Sequence, residues 1–276
     1  MSNLITRTLT GAVFLAVMIG GILWNFWSYM FLFTLVSILG IWEFFSLMKN
    51  RISSSQKAAG IALGLILIAA SCGKYFYPVA EGLFSKGLFL LVLVLPVFLI
   101  IQLFRKGSVL ILFSPVLFGI LYVVLPFCLL ILSYSSESYW SSGNHTRIIL
   151  GYFFLIWAND TFAYLVGISI GKHRLYERIS PKKSWEGFIG GIICTQGIAY
   201  LFSLYVTELS LVHWLVLAFI VSVTGTLGDL VESMFKRSLG VKDSGNILPG
   251  HGGILDRFDA VLISSPFVVT YLLFIR

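Results

Sequence analysis

Two carboxylates, a hydroxyl and an ammonium group lie at helical spacing near the end of a long apolar segment: Asp229, Glu232, Ser233 and Lys236. Because they occupy positions i, i+3, i+4 and i+7, a helix would present all four on one face. Hard oxygen ligands clustered in this way suit Mg²⁺ or another hard cation. The alternative is a solvated helix end on which Lys236 pairs with Glu232 or Asp229.

A glycine-rich segment follows this helix face. Four glycines and a proline occur within it: Gly245, Pro249, Gly250, Gly252 and Gly253. This composition disfavours an ordered helix and would let backbone N–H groups approach phosphate oxygens closely. The segment is not a Walker loop, because the Gly-Lys-Ser/Thr ending is missing. His251 alone is more typical of a hydrogen-bonding loop residue than of a catalyst, and one histidine without a nearby cysteine is a poor zinc site.

The last apolar segment opens with further charged residues. Asp256 and Asp259 are three positions apart, and Arg257 lies between them. Two metal ions held by four carboxylates could clamp a triphosphate and its leaving diphosphate. The four acids that this arrangement would use are Asp229, Glu232, Asp256 and Asp259.

A basic segment joins two earlier apolar segments. Residues 171–187 contain five cations: Lys172, Arg174, Arg178, Lys182 and Lys183. If they lie on the same side as the acids, they would form a phosphate clamp. The alternative is a solvated loop that binds anionic lipid headgroups. Ser184 is a candidate N-cap for the helix that follows.

Asp160 lies in the middle of an apolar segment, in the run Trp157-Ala158-Asn159-Asp160-Thr161. An ionised group at such a depth in a bilayer costs on the order of 3 kcal/mol unless it is paired or hydrated. It therefore indicates a functional cavity. The alternative is a hydrogen bond or an ion pair between helices.

The elements that must position these residues are membrane helices. Of the 276 residues, 58% are hydrophobic and 11% are charged, whereas soluble domains carry about 25% charged residues. Three cysteines inside apolar segments exclude a disulfide framework. We predict an all-α, polytopic helical bundle with about nine transmembrane helices. The predicted spans are residues 9–27, 28–48, 58–77, 87–104, 109–134, 148–171, 187–206, 211–235 and 260–275.

We expect one integral membrane domain over residues 1–276, with a helical scaffold in residues 1–140 and a catalytic half in residues 150–262. Most lysines and arginines fall on one side of the bilayer if the N-terminus is cytoplasmic, as the positive-inside rule requires. The net charge of +7 then reflects topology and not nucleic-acid binding. The first span has no small-residue cleavage site after it, which favours an anchor over a cleaved signal. A bacterial inner membrane is the expected location.

Carboxylates, a bound divalent metal, a glycine loop and several cations are the parts of a phosphoryl or nucleotidyl transferase. Catalysis of that kind is mostly positioning and neutralisation of negative charge. A phosphate nucleophile is already an anion at neutral pH, so no strong general base is required. A different class remains open, because a transporter or proton relay could place Asp160, Asp229 and Glu232 along a translocation path.

Three stretches carry a more specific pattern. The longest reads Ser233-Met-Phe-Lys236-Arg237-x4-Lys242-Asp243-x-Gly245-x2-Leu248-Pro249-x-His251-Gly252-Gly253-Ile254-x-Asp256-Arg257-Phe258-Asp259. The others are Asn159-Asp160-Thr-Phe-Ala163-Tyr164 and Ser180-Pro181-Lys182-Lys183-Ser184-Trp185-Glu186-Gly187. Together they resemble the phosphatidate cytidylyltransferase family, also called CDP-diacylglycerol synthases.

The resemblance implies the reaction CTP + phosphatidate → CDP-diacylglycerol + diphosphate, with Mg²⁺ as cofactor, at the cytoplasmic face of the membrane in phospholipid synthesis. It implies that Asp229 and Asp256 bind metal, with Glu232, Asp243 and Asp259 as partners. Basic residues would hold phosphates, namely Lys236, Arg237, Lys242 and Arg257. The nucleotide loop would be lined by His251, Gly252 and Gly253. Lys182 and Lys183 would bind CTP phosphates or the phosphatidate headgroup, and Asp160 would face the same polar cavity. The family further implies K⁺ and a homodimer.

A related lipid kinase with CTP as the phosphate donor is the neighbouring alternative, and the reaction products separate the two. CDP-alcohol phosphotransferases are disfavoured, because their Asp-Gly-x2-Ala-Arg pattern is absent from the sequence.

Overall fold

Helices make up most of the protein in the computed structural model, which describes residues 3–49, 51–73, 115–134, 145–250 and 252–275. The helices are α1 Asn3–Leu23, α2 Phe26–Leu47, α3 Ser54–Gly73, α4 Pro115–Ser133, α5 His145–Ile170, α6 Trp185–Tyr205, α7 Leu211–Ser238 and α8 Leu255–Phe274. Within α4, residues Ile120–Val124 form a π-helical turn. Two short antiparallel strands, β1 Arg174–Tyr176 and β2 Ser180–Ser184, form a hairpin between α5 and α6.

Six helices of the described residues, α2 and α4 to α8, are long and apolar enough to cross a membrane. The helices α1 and α3 contain shorter apolar stretches, Thr8–Leu23 and Gln56–Ala69. The predicted class of all-α polytopic membrane protein is therefore confirmed. The count of nine spans stays a prediction, because the span expected over 87–104 and the start of the one over 109–134 lie outside the described residues.

Local capping residues set two of the helix boundaries. The Asn25 side chain accepts a hydrogen bond from Ser28 N at 2.9 Å, and Ser28 Oγ accepts one from Asn25 N at 3.0 Å, so α2 begins with a capping box. Ser184 caps α6 by accepting a hydrogen bond from Gly187 N at 3.1 Å, as its position in the sequence predicts. Polar side chains at a break between apolar segments thus identify where a helix starts.

The basic segment between α5 and α6 forms a hairpin, whose two strands the sequence pattern does not predict. Its strands pair Arg174 with Ser184 and Tyr176 with Ser180. The Glu186 carboxylate at the start of α6 accepts hydrogen bonds from Lys172 N at 3.1 Å and from His173 N at 3.2 Å. These contacts fix the hairpin to the end of α6.

Helices α7 and α8 pack against each other closely enough to bring their acidic ends together. A Cβ atom at Gly228 on α7 would lie 2.6 Å from the backbone oxygen of Asp259 on α8, so this crossing requires glycine. Because Gly228 adjoins Asp229, the close contact sets the distance between the carboxylates of the two helices.

Three connections between helices lie at the same end of the bundle, namely those that join α2 to α3, α5 to α6 and α7 to α8. Arg51, between α2 and α3, donates a hydrogen bond from Nη2 to the Ser238 carbonyl at the end of α7, at 3.3 Å. The hairpin reaches α7 through an ion pair of 2.6 Å between Lys183 Nζ and Asp229 Oδ2. At the other end of α5, Arg147 pairs with Glu208 at 3.3 Å. The basic connections that were predicted to share one side of the membrane are therefore neighbours in the fold.

Candidate active site

Three carboxylates from α7 and α8 form the centre of the site: Asp229, Glu232 and Asp259, hereafter the carboxylate cluster. One oxygen from each lies within 4.8 Å of one oxygen from each of the others. Glu232 is 1% exposed, and its Oε1 has no hydrogen-bond partner among the residues that the structure describes. A buried carboxylate oxygen without a partner is costly, and a cation held between the three carboxylates would remove that cost. The residues present therefore match a hard divalent cation.

Lys236 connects the carboxylate cluster to Asp256. Its Nζ lies 2.6 Å from Glu232 Oε2 and 2.6 Å from Asp256 Oδ1. The other oxygen of Asp256, Oδ2, accepts hydrogen bonds from Ser244 N at 2.9 Å and from Gly253 N at 2.8 Å. Asp256 therefore has protein donors on both oxygens, in contrast to Glu232. Its assignment as a metal ligand stays a prediction.

The hairpin supplies a cation to the same place. Lys183 Nζ pairs with Asp229 Oδ2 at 2.6 Å, and Ser233 Oγ donates a hydrogen bond to Asp229 Oδ1 at 3.2 Å. The helical face predicted from Asp229 to Lys236 is therefore present on α7. Ion pairs join this face to Lys183 on β2 and to Asp256 on α8. The pairing of Lys236 with Glu232 is present.

A cavity of about 1000 Å³, hereafter the main cavity, opens beside the carboxylate cluster. Part of its wall is charged: Asp160, Arg174, Lys182, Lys183, Asp229, Asp256, Arg257 and Asp259. Another part is apolar or aromatic: Phe14, Leu15, Trp157, Tyr164, Ile168 and Phe188. Asp160 thus lies on the wall of a cavity, and its neighbour Asn159 donates a hydrogen bond to Thr226 on α7 at 3.3 Å. The main cavity combines the two environments that a charged headgroup and an apolar chain require.

A smaller cavity of about 560 Å³ lies along the segment between α7 and α8, hereafter the signature loop (residues 239–254). It is lined by Lys242, Asp243, Asn246, Leu248, Pro249, Gly250, Gly252 and Arg257. Arg257 also lines the main cavity and so lies between the two. Arg237 instead donates a hydrogen bond from Nη1 to the Val241 carbonyl at 3.0 Å and braces the start of the loop.

Gly252 has a backbone conformation that other residues rarely adopt, with φ of +84°. A Cβ atom there would lie 2.5 Å from Asp256 Oδ2. The loop can therefore bring its backbone against Asp256 because this position has no side chain. Gly253 supplies one of the N–H donors to the same carboxylate, and His251 lies outside the described residues.

Glu43 on α2 is the site residue that sequence reasoning missed. It is 2% exposed, and its carboxylate accepts hydrogen bonds from Ile254 N at 2.9 Å and Leu255 N at 3.0 Å, as well as from Ser244 Oγ. The rule that assigns function to acids inside apolar segments applies to Glu43 as it does to Asp160. Composition does not single out Glu43, because most of the acidic residues lie after residue 150 and the N-terminal half resembles a scaffold.

The fold and the site together define a class, namely polytopic helical membrane proteins in which a carboxylate cluster and several cations line a cavity beside apolar helix surfaces. The chain belongs to the Cytidylyltransferase family, which it matches over residues 5–275. The family resemblance seen in the three sequence stretches is thereby confirmed.

Bacterial proteins named phosphatidate cytidylyltransferase are similar to this chain. The protein from Staphylococcus haemolyticus (strain JCSC1435) is 47% identical over 148 residues, and that from Staphylococcus aureus (strain COL) is 47% identical over 150 residues. The protein from Staphylococcus saprophyticus is 45% identical over 150 residues. Each alignment covers 51% of this chain and 56% of the relative. The chain therefore spans little more than half the length of the curated relatives it matches.

Proposed function

We propose that this chain transfers the cytidylyl group of CTP to phosphatidate, giving CDP-diacylglycerol and diphosphate. The observation that carries the proposal is the main cavity, in which carboxylates and cations lie beside an apolar wall. The printed names of the relatives support the same reaction. We further propose that the site faces the cytoplasm of a bacterial cell, where CTP is available, and that the N-terminus lies on that side.

The reaction replaces one bond to phosphorus by another. A phosphate oxygen of phosphatidate attacks the α-phosphorus of CTP and forms the new P–O bond. The bond from that phosphorus to the oxygen bridging to the β-phosphate breaks, and diphosphate leaves with the electron pair. A phosphate monoester has a second pKa near 6, so the nucleophile is anionic at neutral pH. The protein must therefore hold two anionic groups together, which requires neutralisation more than proton transfer.

Cations on the charged wall would perform that neutralisation. Lys182, Lys183 and Arg257 lie around the main cavity, and guanidinium and ammonium groups bind phosphate oxygens through charge-assisted hydrogen bonds. Lys183 pairs with Asp229 at 2.6 Å, so its ammonium is already directed at the carboxylate cluster. Bound phosphate would share this lysine with Asp229.

The carboxylate cluster is the proposed metal site. Mg²⁺ held by Asp229, Glu232 and Asp259 would supply further positive charge to the phosphates of CTP. Glu232 Oε1 is the strongest argument for this, because it is buried and has no partner among the described residues. Lys236 orients Glu232 through its other oxygen.

The apolar wall of the main cavity would receive the lipid. Phe14 and Leu15 come from α1, Tyr164 and Ile168 from α5, and Phe188 from α6. An acyl chain against these residues would leave the phosphate at the charged wall. The lipid would then reach the site from the bilayer and CTP would reach it from water.

Two labelled forms of CTP test the proposal with the purified protein, phosphatidate and Mg²⁺. Cytidylyl transfer places label from the α-phosphate in the lipid product and releases label from the β- and γ-phosphates as diphosphate. A lipid kinase would instead place the γ-phosphate in the lipid and release CDP. Label from the γ-phosphate in the lipid, or ion flux in liposomes without any turnover, would contradict the proposal.

A further inference from the structure

Glu43 joins the N-terminal half of the protein to the candidate active site through a buried set of contacts. Its Oε2 accepts a hydrogen bond from Ile254 N, and its Oε1 accepts one from Leu255 N and contacts Ser244 Oγ. The partners lie more than 200 positions away in the sequence. Neither of the two cavities described above has Glu43 in its wall, so a ligand bound in either would not contact this carboxylate directly.

The contacts place a negative charge at the N-terminus of α8. The first N–H groups of a helix have no partner within the helix, and Ile254 supplies no side-chain cap of its own. Glu43 satisfies the N–H groups of Ile254 and Leu255, and Ser244 Oγ accepts from Asp256 N at 3.3 Å. The cap of α8 is therefore provided by α2 and by the signature loop.

A chain of hydrogen bonds leads from Glu43 to the carboxylate cluster. Ser244 Oγ donates to Glu43, and Ser244 N donates to Asp256 Oδ2. Asp256 Oδ1 accepts from Lys236 Nζ at 2.6 Å, and the same ammonium pairs with Glu232. A side chain at Gly253 would collide with the Glu43 carboxylate and with Ser244, so the loop is packed directly on this group.

We propose that Glu43 is a positioning residue of the site, whose buried carboxylate caps α8 and, through Ser244, fixes Asp256 and Lys236 against the carboxylate cluster. The inference rests on the proposed function, since it assigns Glu43 to the geometry in which CTP and phosphatidate react. The position of the signature loop then also depends on its contacts with α2.

Steady-state kinetics of Glu43→Gln test the role. Glutamine retains the shape but loses the charge and one acceptor oxygen. We expect kcat to fall about 10- to 100-fold, the range for lost hydrogen bonds to a charged group, while KM for phosphatidate changes less than about twofold, since Glu43 lies outside the cavity walls. The matched control is Tyr152→Phe, which removes a buried hydrogen bond of 2.7 Å between α5 and Ser264 on α8, away from the site. An equal loss of kcat in both variants would overturn the proposal.

Ser244→Ala alone tests the route even if Glu43→Gln does not fold, because it removes the hydroxyl that joins Glu43 to the N-terminus of α8. We expect it to lower kcat while KM for phosphatidate changes little, and an unchanged kcat would contradict the route. If Glu43 acts through Ser244, the double variant Glu43→Gln/Ser244→Ala should lose little more activity than the more severe single variant. Losses that multiply would show that the two residues act independently and would contradict the route.

Hydrogen exchange separates this inference from the proposed function, because it needs no turnover. The amides of Ile254 and Leu255 should exchange faster in Glu43→Gln than in the wild type or in Tyr152→Phe, while amides in the middle of α7 should not change. Unchanged exchange at these two amides would contradict the inference even if the wild type is active. A wild type that forms no CDP-diacylglycerol, with faster exchange in Glu43→Gln, would reject the proposed function and leave the cap of α8 in place.

Discussion

The helices before residue 140 and those after it are both apolar, but they use polar residues differently. In the described part of the first region, α1 to α4, the one buried acid is Glu43. In the second region, α5 to α8, three carboxylates converge from two helices. The described part of the first region therefore packs mainly through apolar side chains and directs its one buried acid at the site. A region that resembles a scaffold by composition can still supply a residue on which the site depends.

Aromatic packing connects the two regions beside this acid. Phe44, next to Glu43, stacks on Phe235 of α7 with ring centroids 5.1 Å apart and an interplanar angle of 8°. Phe33 on α2 likewise stacks on Phe153 of α5 at 6.0 Å. Because Phe235 adjoins Lys236, the stacking on α7 and the hydrogen bonds to α8 fix α2 against both helices that carry the carboxylate cluster.

The largest loss of activity should come from a substitution in the second region. Asp229→Ala removes a carboxylate of the cluster and the partner of Lys183, so we expect turnover to fall by about 10²- to 10³-fold or more in a protein that still inserts. Glu177→Ala, which removes an exposed acid from the hairpin turn, should keep nearly full activity. Near-normal turnover in Asp229→Ala would contradict the proposal that the carboxylate cluster holds the metal ion.

Lys236→Met should affect both stability and activity. Its ammonium pairs with two carboxylates whose side chains are 2% and 7% exposed, and breaking a buried ion pair costs about 3–5 kcal/mol. We expect a lower Tm and loss of turnover. The double variant Lys236→Met/Glu232→Gln, which also removes one unpaired charge, should recover part of the Tm without recovering turnover. A wild-type Tm in Lys236→Met would contradict this description.

Two glycines of the signature loop have similar φ angles but different surroundings. Alanine variants at these positions therefore distinguish the effect of backbone strain from that of a clash with Asp256. Gly252 and Gly240 have φ of +84° and +71°, but a Cβ atom would meet Asp256 only at Gly252 and has open space at Gly240. Each alanine variant should lose about 1–2 kcal/mol of stability from left-handed backbone strain. Only Gly252→Ala should also lower kcat, by about tenfold or more, because the added Cβ would displace Asp256. Equal kcat values in the two variants would show that contact with Asp256 has no role.

The smallest effect on activity should come from a substitution in the first region that lies away from Glu43. Tyr29→Phe removes a buried hydrogen bond of 2.7 Å to the Leu130 carbonyl, worth about 1 kcal/mol. We expect a slightly lower Tm and an unchanged kcat for the folded enzyme. A loss of kcat as large as that in Glu43→Gln would mean that the whole first region, and not one acid, controls the site.

Local patterns in the sequence predicted much of this arrangement. The helical face of Asp229 and Glu232 and the cap at Ser184 both depend on residues within a few positions of each other. The contacts of Lys183 with Asp229 and of Glu43 with Leu255 depend on elements that meet only in the folded chain. The hairpin was missed for a different reason, since the strand Ser180–Ser184 has no alternation of β-branched or aromatic residues.

Binding of a divalent cation to the carboxylate cluster is measured most directly by electron paramagnetic resonance of Mn²⁺ added to the purified protein in place of Mg²⁺. The wild type should bind Mn²⁺ in a site that Mg²⁺ competes for. Glu232→Gln should weaken that binding by at least about tenfold, which corresponds to about 1.4 kcal/mol, because it removes one charged ligand. Equal Mn²⁺ affinity in the wild type, Glu232→Gln and Asp229→Ala would show that these carboxylates hold no catalytic cation.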